Sequence, residues 1–211
     1  MTFDPSDDFV DVADGLESIT LNRRGSDAES ITNALRREVT TREAAASNGK
    51  LTTADTRWHF PVSAVDSIPA LGDVVEDASG NQFTVMDVQE ATLGKRYKCA
   101  TRNVAVVYGL DSVVTIEKAT YSKGTQGAME RTWTTWKKVK ARIQPSTAQA
   151  ETSAGMKRTE KRYQVLLATT CDVDNSHRIK AADGTLYKFA GATQADQIGQ
   201  PQIIEVTKWQ T

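Results

Sequence analysis

The sequence of 211 residues has two cysteines, two histidines and no apolar run near the ~18–20 residues that cross a bilayer. Cys99 and Cys171 are too few for a disulfide framework and lack C-x-x-C spacing, so we expect two reduced thiols buried in strands. The first 16 residues are acidic, whereas a signal peptide begins with basic residues followed by an apolar stretch. These absences argue against a membrane protein or an exported protein and predict synthesis in the cytoplasm.

Residue types suited to catalysis are equally scarce. A general base that titrates near neutral pH is offered only by His59 and His177, and His59 stands between Trp58 and Phe60 in a strand-like run. The run before His177, Asp172-Val-Asp-Asn175, resembles the start of a calcium loop but lacks the turn glycine and the distal glutamate. Phosphate-binding glycine motifs, zinc patterns and nucleophile motifs are absent from the sequence. We therefore expect no catalytic residue, no metal site, no cofactor and no enzyme activity.

Charged residues are plentiful, but they are unevenly placed. The chain has 26 basic and 27 acidic side chains, with 25% charged and 39% hydrophobic residues, which is typical of a soluble globular protein. A cut at Leu110 leaves 17 acidic and 11 basic residues before it, and 10 acidic and 15 basic residues after it. The first half is thus acidic and the second half basic.

The acidic excess lies in residues 1–17, which contain no lysine or arginine. We predict an acidic N-terminal arm over residues 1–15, carrying Asp4, Asp7, Asp8, Asp11 and Asp14. Two interpretations remain open: a solvated arm, or an arm that docks on a basic neighbour if the protein assembles with itself.

Short runs rich in Thr, Val, Ile and aromatic residues dominate the remainder and predict strands. They cover residues 16–23, 56–61, 82–89, 96–107, 112–121, 133–144, 162–170, 185–191 and 202–208. In the run 133–144 apolar side chains alternate with Lys138, Lys140 and Arg142, so one face is buried and the other is a basic ridge. The ridge fits a solvated strand face, contact with an acidic protein, or nucleic-acid binding beside Trp133 and Trp136. The fold class is all-β, with barrel or sandwich domains.

An internal repeat relates the two halves. The turn around Gly80 with Phe83 lies over the turn around Gly184 with Tyr187 at a shift of 104 residues. A shift of 105 places Trp58 over Tyr163 upstream, and residues 98–104 over 203–209 downstream. We therefore predict two tandem domains, a first β-barrel over residues 16–109 and a second over residues 110–211.

The repeat also decides between helix and strand for residues 26–47. Ile31, Leu35 and Val39 are spaced for a helix or a strand, and the match to the second half favours a strand over residues 31–40. The following segments, 41–55 and 145–160, are small, polar and contain glycine, so we predict long loops in matching places, which on a compact β-domain are more often functional or mobile than incidental. The candidate contact residues are Glu43, Asn48, Gly49 and Lys50 in the first loop, and Gln149, Glu151, Gly155, Met156, Lys157 and Arg158 in the second.

The second half resembles a known family. Its ordered features are the run from Thr115 to Gly127, the Trp133/Trp136 pair, the strand ending at Pro145, His177-Arg-Ile179 and Asp183-Gly-Thr-Leu-Tyr187. Over residues 112–209 this set is similar to the head–tail joining proteins of tailed bacteriophages, also called head-closure, stopper or neck proteins. The first half resembles the same domain more distantly, through Trp58-His-Phe60 and Leu93-Gly-Lys-Arg-Tyr97 among other features.

The resemblance implies a structural virion protein that forms a hexameric or dodecameric ring in the phage neck. Such a ring surrounds the channel through which DNA leaves, between the portal or adaptor protein and the tail terminator or tail tube protein. It also implies that the loop 145–160 narrows or closes that channel, and that the loop 41–55 occupies the same place in the first half. The candidate residues of both loops would then contact the lumen or a partner. Two alternatives remain from the sequence: a tail terminator or another tail-side ring protein, and a β-sandwich module that binds a small ligand.

Overall fold

The computed structural model describes residues 13–23, 27–91, 93–123, 129–146, 149–153, 156–193 and 198–209, with the backbone alone for residues 149–153, 156–160, 192 and 193. The chain forms two compact units. One contains the residues up to Val107 together with residues 197–199, and the other begins at Tyr108. No helix among the described residues has the length and apolar character needed to cross a membrane.

The first unit is a closed six-stranded antiparallel barrel with the strand order β1-β2-β3-β6-β5-β4. Its strands are β1 (Leu16–Asn22), β2 (Glu29–Glu38), β3 (Thr56–Pro61), β4 (Val74–Asp77), β5 (Gln82–Ala91) and β6 (Arg96–Arg102). Helix α1 (Thr41–Ala46) lies between β2 and β3, a 3-10 turn (Val62–Ala64) follows β3, and helix α2 (Val104–Val107) follows β6. The barrel core contains aromatic residues, among them Trp58, Phe60 and Phe83.

The second unit is another closed barrel, with the strand order β7-β8-β11-β14-β13-β12. Its strands are β7 (Ser112–Lys123), β8 (Met129–Pro145), β11 (Arg162–Leu167), β12 (His177–Lys180), β13 (Leu186–Thr193) and β14 (Gln202–Lys208). Between β8 and β11, strands β9 (Gln149–Ser153) and β10 (Met156–Glu160) form a separate two-stranded sheet. Aliphatic side chains such as Ile116, Leu167 and Ile204 fill this core. The predicted all-β fold class is confirmed, since both large sheets close as barrels.

Both barrels have the same topology, because replacing β1–β6 by β7, β8, β11, β12, β13 and β14 converts one strand order into the other. The agreement extends to single residues in the β4–β5 and β12–β13 hairpins. Val75 pairs with Phe83, and 104 residues later Ile179 pairs with Tyr187. Gly80 and Gly184 close the two turns at φ angles of 77° and 85°, a region that favours glycine. The predicted shift of 104 residues therefore holds in the hairpins.

The register corrects the alignment of the upstream strands. Trp58 pairs with Cys99, whereas Tyr163 pairs with Val206. With β14 matched to β6 at a shift of 105, Cys99 corresponds to Ile204, and Ile204 pairs with Val165. Trp58 therefore corresponds to Val165, since 58 plus 107 is 165, and its alignment with Tyr163 was wrong by two residues. A slip of two residues keeps every side chain on the same face, so the alternation of the sequence does not reveal it.

Most strands lie where the sequence predicts them, and the strand predicted over residues 31–40 is confirmed by β2. Three local differences stand out. The predicted strand 96–107 ends at Arg102 and is followed by α2. Cys99 is buried in β6 as expected, but Cys171 is buried in the segment that follows β11, outside any strand. The two predicted long loops contain α1 and the β9–β10 hairpin, respectively.

Candidate assembly surfaces

Strands β7 and β8 of the second unit continue to pair with each other beyond their pairing with the other barrel strands. Strands β7 and β8 pair from Ser112 and Ala141 to Lys123 and Met129. Within the barrel, β7 pairs with β12 only over residues 115–118, and β8 pairs with β11 only over residues 141–145. Residues 120–123 and 129–132, which we call the ribbon, therefore pair only with each other among the described strands. A ribbon of this kind leaves backbone donors and acceptors on both edges for another chain.

Exposed side chains make the ribbon suitable for contact with a partner. Tyr121 and Met129 are 58% and 67% exposed, which is unusual for residues of their size. The hydroxyl groups of Thr120 and Thr132 lie 2.7 Å apart and link the two strands. The ribbon therefore combines an ordered backbone with exposed apolar surface.

Stacked cations and indoles join the ribbon to the barrel. The guanidinium of Arg131 lies 3.9 Å from the ring centre of Trp133, and that of Arg178 lies 4.4 Å from it. The ring of Trp209 meets Trp133 edge-on at 5.9 Å. Arg178 is itself held by Glu117 through a hydrogen bond from its Nε. Cation–π contacts of about 0.5–2 kcal/mol each thus fix the base of the ribbon.

A second aromatic contact involves His177, one of the two histidines. The ring of Trp136, which is 43% exposed, lies 4.9 Å from the His177 ring. The Nδ1 atom of His177 lies 2.8 Å from Asp174 Oδ1 and 3.3 Å from Ser176 Oγ. Hydrogen bonds from Ser176 and then His177 lower the pKa of Asp174 to about 2. A catalytic triad needs the acid and the nucleophile on opposite ring nitrogens, so this cluster is a turn that fixes the imidazole.

The basic ridge has the geometry that the alternation predicts. Lys138, Lys140 and Arg142 are exposed, whereas Val139 and Ala141 between them are buried in the barrel core. Its role in binding an acidic partner stays a prediction.

The candidate contact residues of the segment 145–160 lie on the small β9–β10 sheet. Gln149 and Glu151 belong to β9, and Met156, Lys157 and Arg158 belong to β10, while Gly155 lies outside the described residues. Within the hairpin Arg158 pairs with Glu151, and Lys157 pairs with Thr152. Contact of this hairpin with a lumen or a partner stays a prediction.

The segment 41–55 of the first unit is tightly held. Thr40 and Glu43 form a capping box at the start of α1, and Glu43 also pairs with Arg57. Asp55, which is fully buried, accepts two 2.8 Å hydrogen bonds from Arg102 and one from the backbone of Thr52. The sequence predicted a long loop here, and these bonds hold the segment as an ordered part of the first unit.

The remaining candidates of this segment form the turn after α1. Asn48 and Gly49 adopt positive φ angles of 54° and 82°, and Lys50 accepts a hydrogen bond on its carbonyl oxygen from Arg102. Leu51 then packs with Val39 and Ala100 on the outside of the barrel. The turn is thus covered on its inner side by the barrel, and Lys50 is left at its exposed edge.

The acidic arm begins outside the described residues. Asp4, Asp7, Asp8 and Asp11 lie there, and Asp14, which is exposed, is the first acidic residue that the structure describes.

A basic surface on the first unit was missed by the sequence analysis. Its members are Arg37 on β2, Arg57 and His59 on β3, and Lys98 on β6, which we call the basic wall. Arg37 pairs with Arg57, and His59 pairs with Lys98, so the four side chains share one outer face. Burial, followed by the charges of Lys98, Arg37, Arg57 and Arg96, lowers the pKa of His59 to about 4. Only the register of three strands brings these residues together, so no single run of sequence signals the wall.

The described part of the chain contains no group of three or more His, Cys, Asp or Glu residues placed to hold a metal ion. Burial raises the pKa of the Cys99 thiol to about 12, which makes this thiol unreactive near neutral pH.

Comparison with known proteins supports the resemblance stated for the second half. Residues 108–208 match the family model described as phage head completion protein. The resemblance to phage neck proteins is confirmed over these residues. The match supports a phage head-related structural protein of the virion.

Two further comparisons complete the result. A chain of the solved structure titled "Virion of native gene transfer agent (GTA) particle" is similar, with a TM-score of 0.35 and 10% identity. The alignment covers 46% of this chain and 91% of that chain. None of the curated proteins matches the sequence.

Proposed function

We propose that the protein is a head–tail connector of a tailed phage, forming a ring in the neck around the DNA exit channel. The observation that carries this proposal is the family match over residues 108–208, which covers the second barrel, its ribbon and the β9–β10 hairpin. The portal or adaptor protein and the tail terminator or tail tube protein are its proposed neighbours, and phage DNA passes through its lumen.

The ribbon suits ring formation. In a ring, each subunit presents one surface to the subunit on its left and a different surface to the subunit on its right. The ribbon supplies such a surface, because Tyr121 and Met129 are exposed and the outer strand edges have no partner strand in the described part of the chain. Burying these groups against a neighbour removes apolar surface from water and satisfies the edge hydrogen bonds. The basic ridge offers a second surface, complementary to an acidic partner.

The β9–β10 hairpin is our candidate for the element that narrows the channel. It pairs with no barrel strand among the described residues, so its position relative to the barrel depends on few backbone hydrogen bonds. An element of this kind can change position at a small cost in free energy. The segment 41–55 is a poor candidate, since the buried pair between Asp55 and Arg102 holds it in place.

Loss-of-function particles test the proposal. A nonsense mutation in the gene, made in a tailed phage or prophage that encodes this chain, is examined by negative-stain electron microscopy with and without suppression. We expect heads without tails, loss of packaged DNA from many of them, and free tails of normal length. Tails of uncontrolled length would indicate a tail terminator instead, and normal virions would contradict any neck function.

The oligomeric state gives an independent test in solution. We expect the purified chain to form rings of six or twelve subunits, alone or on the portal protein, when the mass is measured by analytical ultracentrifugation. Replacing Tyr121 and Met129 by Ser should reduce ring formation at least tenfold, whereas Tyr163→Phe, a change within the barrel, should leave it unchanged. A monomer under all of these conditions would contradict the ring.

A further inference from the structure

We propose that the acidic arm, residues 1–15, docks on the basic wall of its own first unit. The inference concerns this unit alone and does not depend on the connector function. It replaces the open alternatives of a solvated arm and an arm that docks on a neighbouring subunit.

The position at which the arm leaves the barrel is the first argument. Strand β1 begins at Leu16, which pairs with Leu35, and Leu35 pairs with His59. His59 in turn pairs with Lys98, so one cross-strand row connects the start of β1 to the basic wall. The arm therefore starts one strand away from the wall, a distance of roughly 5 Å between neighbouring strands.

Length and tethering make docking within one chain favourable. Residues 1–13 span at most about 43 Å when extended, whereas the three strands of the wall are only about 10 Å across. A segment attached beside its site has an effective concentration on the order of millimolar. It therefore competes well against the same segment of another subunit.

Charge complementarity is the second argument. The wall carries Arg37, Arg57 and Lys98, and Arg96 lies close enough to influence the pKa of His59. Two carboxylates oppose these cations: Glu43 of α1, which pairs with Arg57, and Asp87 of β5, which pairs with Ala100 in the same row. The cations thus outnumber the carboxylates, and the arm offers five aspartates without a basic residue.

An unsatisfied donor lies on the same surface. The Nε atom of Arg57 is buried and has no hydrogen-bond partner among the described residues. A buried N–H without an acceptor costs about 1–3 kcal/mol, and a carboxylate oxygen is the acceptor that an arginine binds best.

The second barrel supplies an internal comparison. The positions equivalent to Arg37, Arg57, His59 and Lys98 are Gln144, Gln164, Leu166 and Ile203, using the shifts of 107 for β2 and β3 and 105 for β6. The lead-in to β7, residues 108–111, contains one aspartate and no other charge. A charged wall thus occurs only in the barrel whose lead-in carries the opposite charge.

Carbodiimide cross-linking tests this proposal directly, because the reagent joins a carboxylate to a lysine amine only when the two are in contact. Peptides are identified by mass spectrometry after mixing normal and 15N-labelled chains. We expect the arm aspartates to be linked to Lys98 within one isotopic species, and the yield to fall at least fivefold in 0.5 M salt. The variant Lys98→Arg, which keeps the charge but lacks the amine, should remove the product.

The controls separate the alternatives. Links to Lys138 or Lys140, links between different isotopic species, or an arm without links to the wall would each overturn the proposal. Replacing Arg37 and Lys98 by Gln should release the arm to digestion by a glutamate- and aspartate-specific protease at least threefold faster. The matched double variant of Lys138 and Lys140 has the same change in charge and should leave the rate unchanged. Equal rates in both variants would also contradict docking on the wall.

The histidines provide a second readout. Only His59 and His177 contribute to a spectrum labelled at histidine, so the NMR signal of His59 can be followed even in a large assembly. Replacing Asp4, Asp7, Asp8 and Asp11 by Asn should lower the pKa of His59 further, since negative charge is removed from beside Arg37, Arg57, Lys98, Arg96, Glu43 and Asp87. The His177 signal serves as the control, and its chemical shift at a fixed pH should be the same in both proteins. If the pKa of His59 is the same with and without the arm substitutions, the proposal is contradicted.

Discussion

The two barrels have one topology but different interiors and outer faces. Trp58 and Val165 occupy equivalent positions in β3 and β11, and both are fully buried. Strand β3 buries the aromatic side chains of Trp58 and Phe60, whereas β11 buries the aliphatic side chains of Val165 and Leu167 at the equivalent positions. The conserved elements are the strand order, the glycine turn and the bulge that follows Val85 in β5 and Phe189 in β13. Backbone features that set the path of the chain are thus common to both barrels, whereas side chains on either face differ.

Removing the large side chain at the equivalent core position should have the largest effect. Trp58→Ala leaves a cavity among Phe60, Phe83 and Val85, and we expect it to lower the free energy of unfolding of the first unit by about 3–5 kcal/mol. Val165→Ala removes about two methylene equivalents and should cost the second unit about 2 kcal/mol. Hydrogen exchange followed by mass spectrometry reports each unit separately. Equal losses in the free energy of unfolding would mean that both cores depend equally on the side chain at this position.

The insertion between β2 and β3 depends on a buried ion pair. Asp55→Asn removes the carboxylate that Arg102 and the Thr52 amide bind, and we expect a loss of about 3 kcal/mol in the first unit. Amides of residues 41–55 should then exchange faster than those of β3. The exposed Asp14→Asn serves as the control with the same chemical change. If the segment keeps its protection, the pair does not hold it.

The equivalent turn glycines should respond alike. Gly80→Ala and Gly184→Ala each place a Cβ in the left-handed region, where nothing within 4 Å obstructs it, so the cost is conformational and amounts to about 1–2 kcal/mol. Gly191→Ala, at a strand position outside that region, is the control. Thermal unfolding followed by hydrogen exchange measures the stability of both units in each variant. A large difference between the two turns would weaken the equivalence of the hairpins.

The pH dependence of stability should differ between the two units. The pKa of His59 is lowered from 6.5 to about 4, so the unfolded chain binds its proton first and stability is lost as the pH falls from about 6.5 to 4. In the second unit Asp174 is lowered from 3.8 to about 2, and its contribution is lost only below pH about 3.8. The free energy of unfolding of each unit, measured at a series of pH values, tests this difference. His59→Gln should remove the loss of stability between pH about 6.5 and 4. If the stability of the first unit depends on pH in the same way in this variant, His59 is not the group responsible.

The sequence was sufficient to predict most of the strands, the duplicated turn and the resemblance of the second half to phage head–tail joining proteins. Alternation and glycine position depend on neighbouring residues, and the shift of 104 between Gly80 and Gly184 follows from them. The shift of 107 in β3 was missed because a two-residue slip preserves the alternation. A difference in the length of the connecting segments produces such a slip, and the strand sequences themselves do not show it.

The candidate assembly surfaces were only partly predictable from the sequence. The basic ridge was found because Lys138, Lys140 and Arg142 follow one strand. The basic wall was missed because Arg37, His59 and Lys98 come from three strands and meet through their register. Residues 41–55 resembled a mobile loop by composition, yet the partner of Asp55 is Arg102, 47 residues further along the chain. Long-range pairs of this kind are not encoded in local composition.

The position of the chain in the virion tests the central claim most directly. Cryo-electron microscopy of particles from a phage that encodes this protein should resolve a closed ring of the two-barrel chain between the portal complex and the tail. The ribbon of each subunit should lie against the adjacent subunit or the tail. A neck built entirely from other proteins, with this chain in the tail or absent from the particle, would contradict the account.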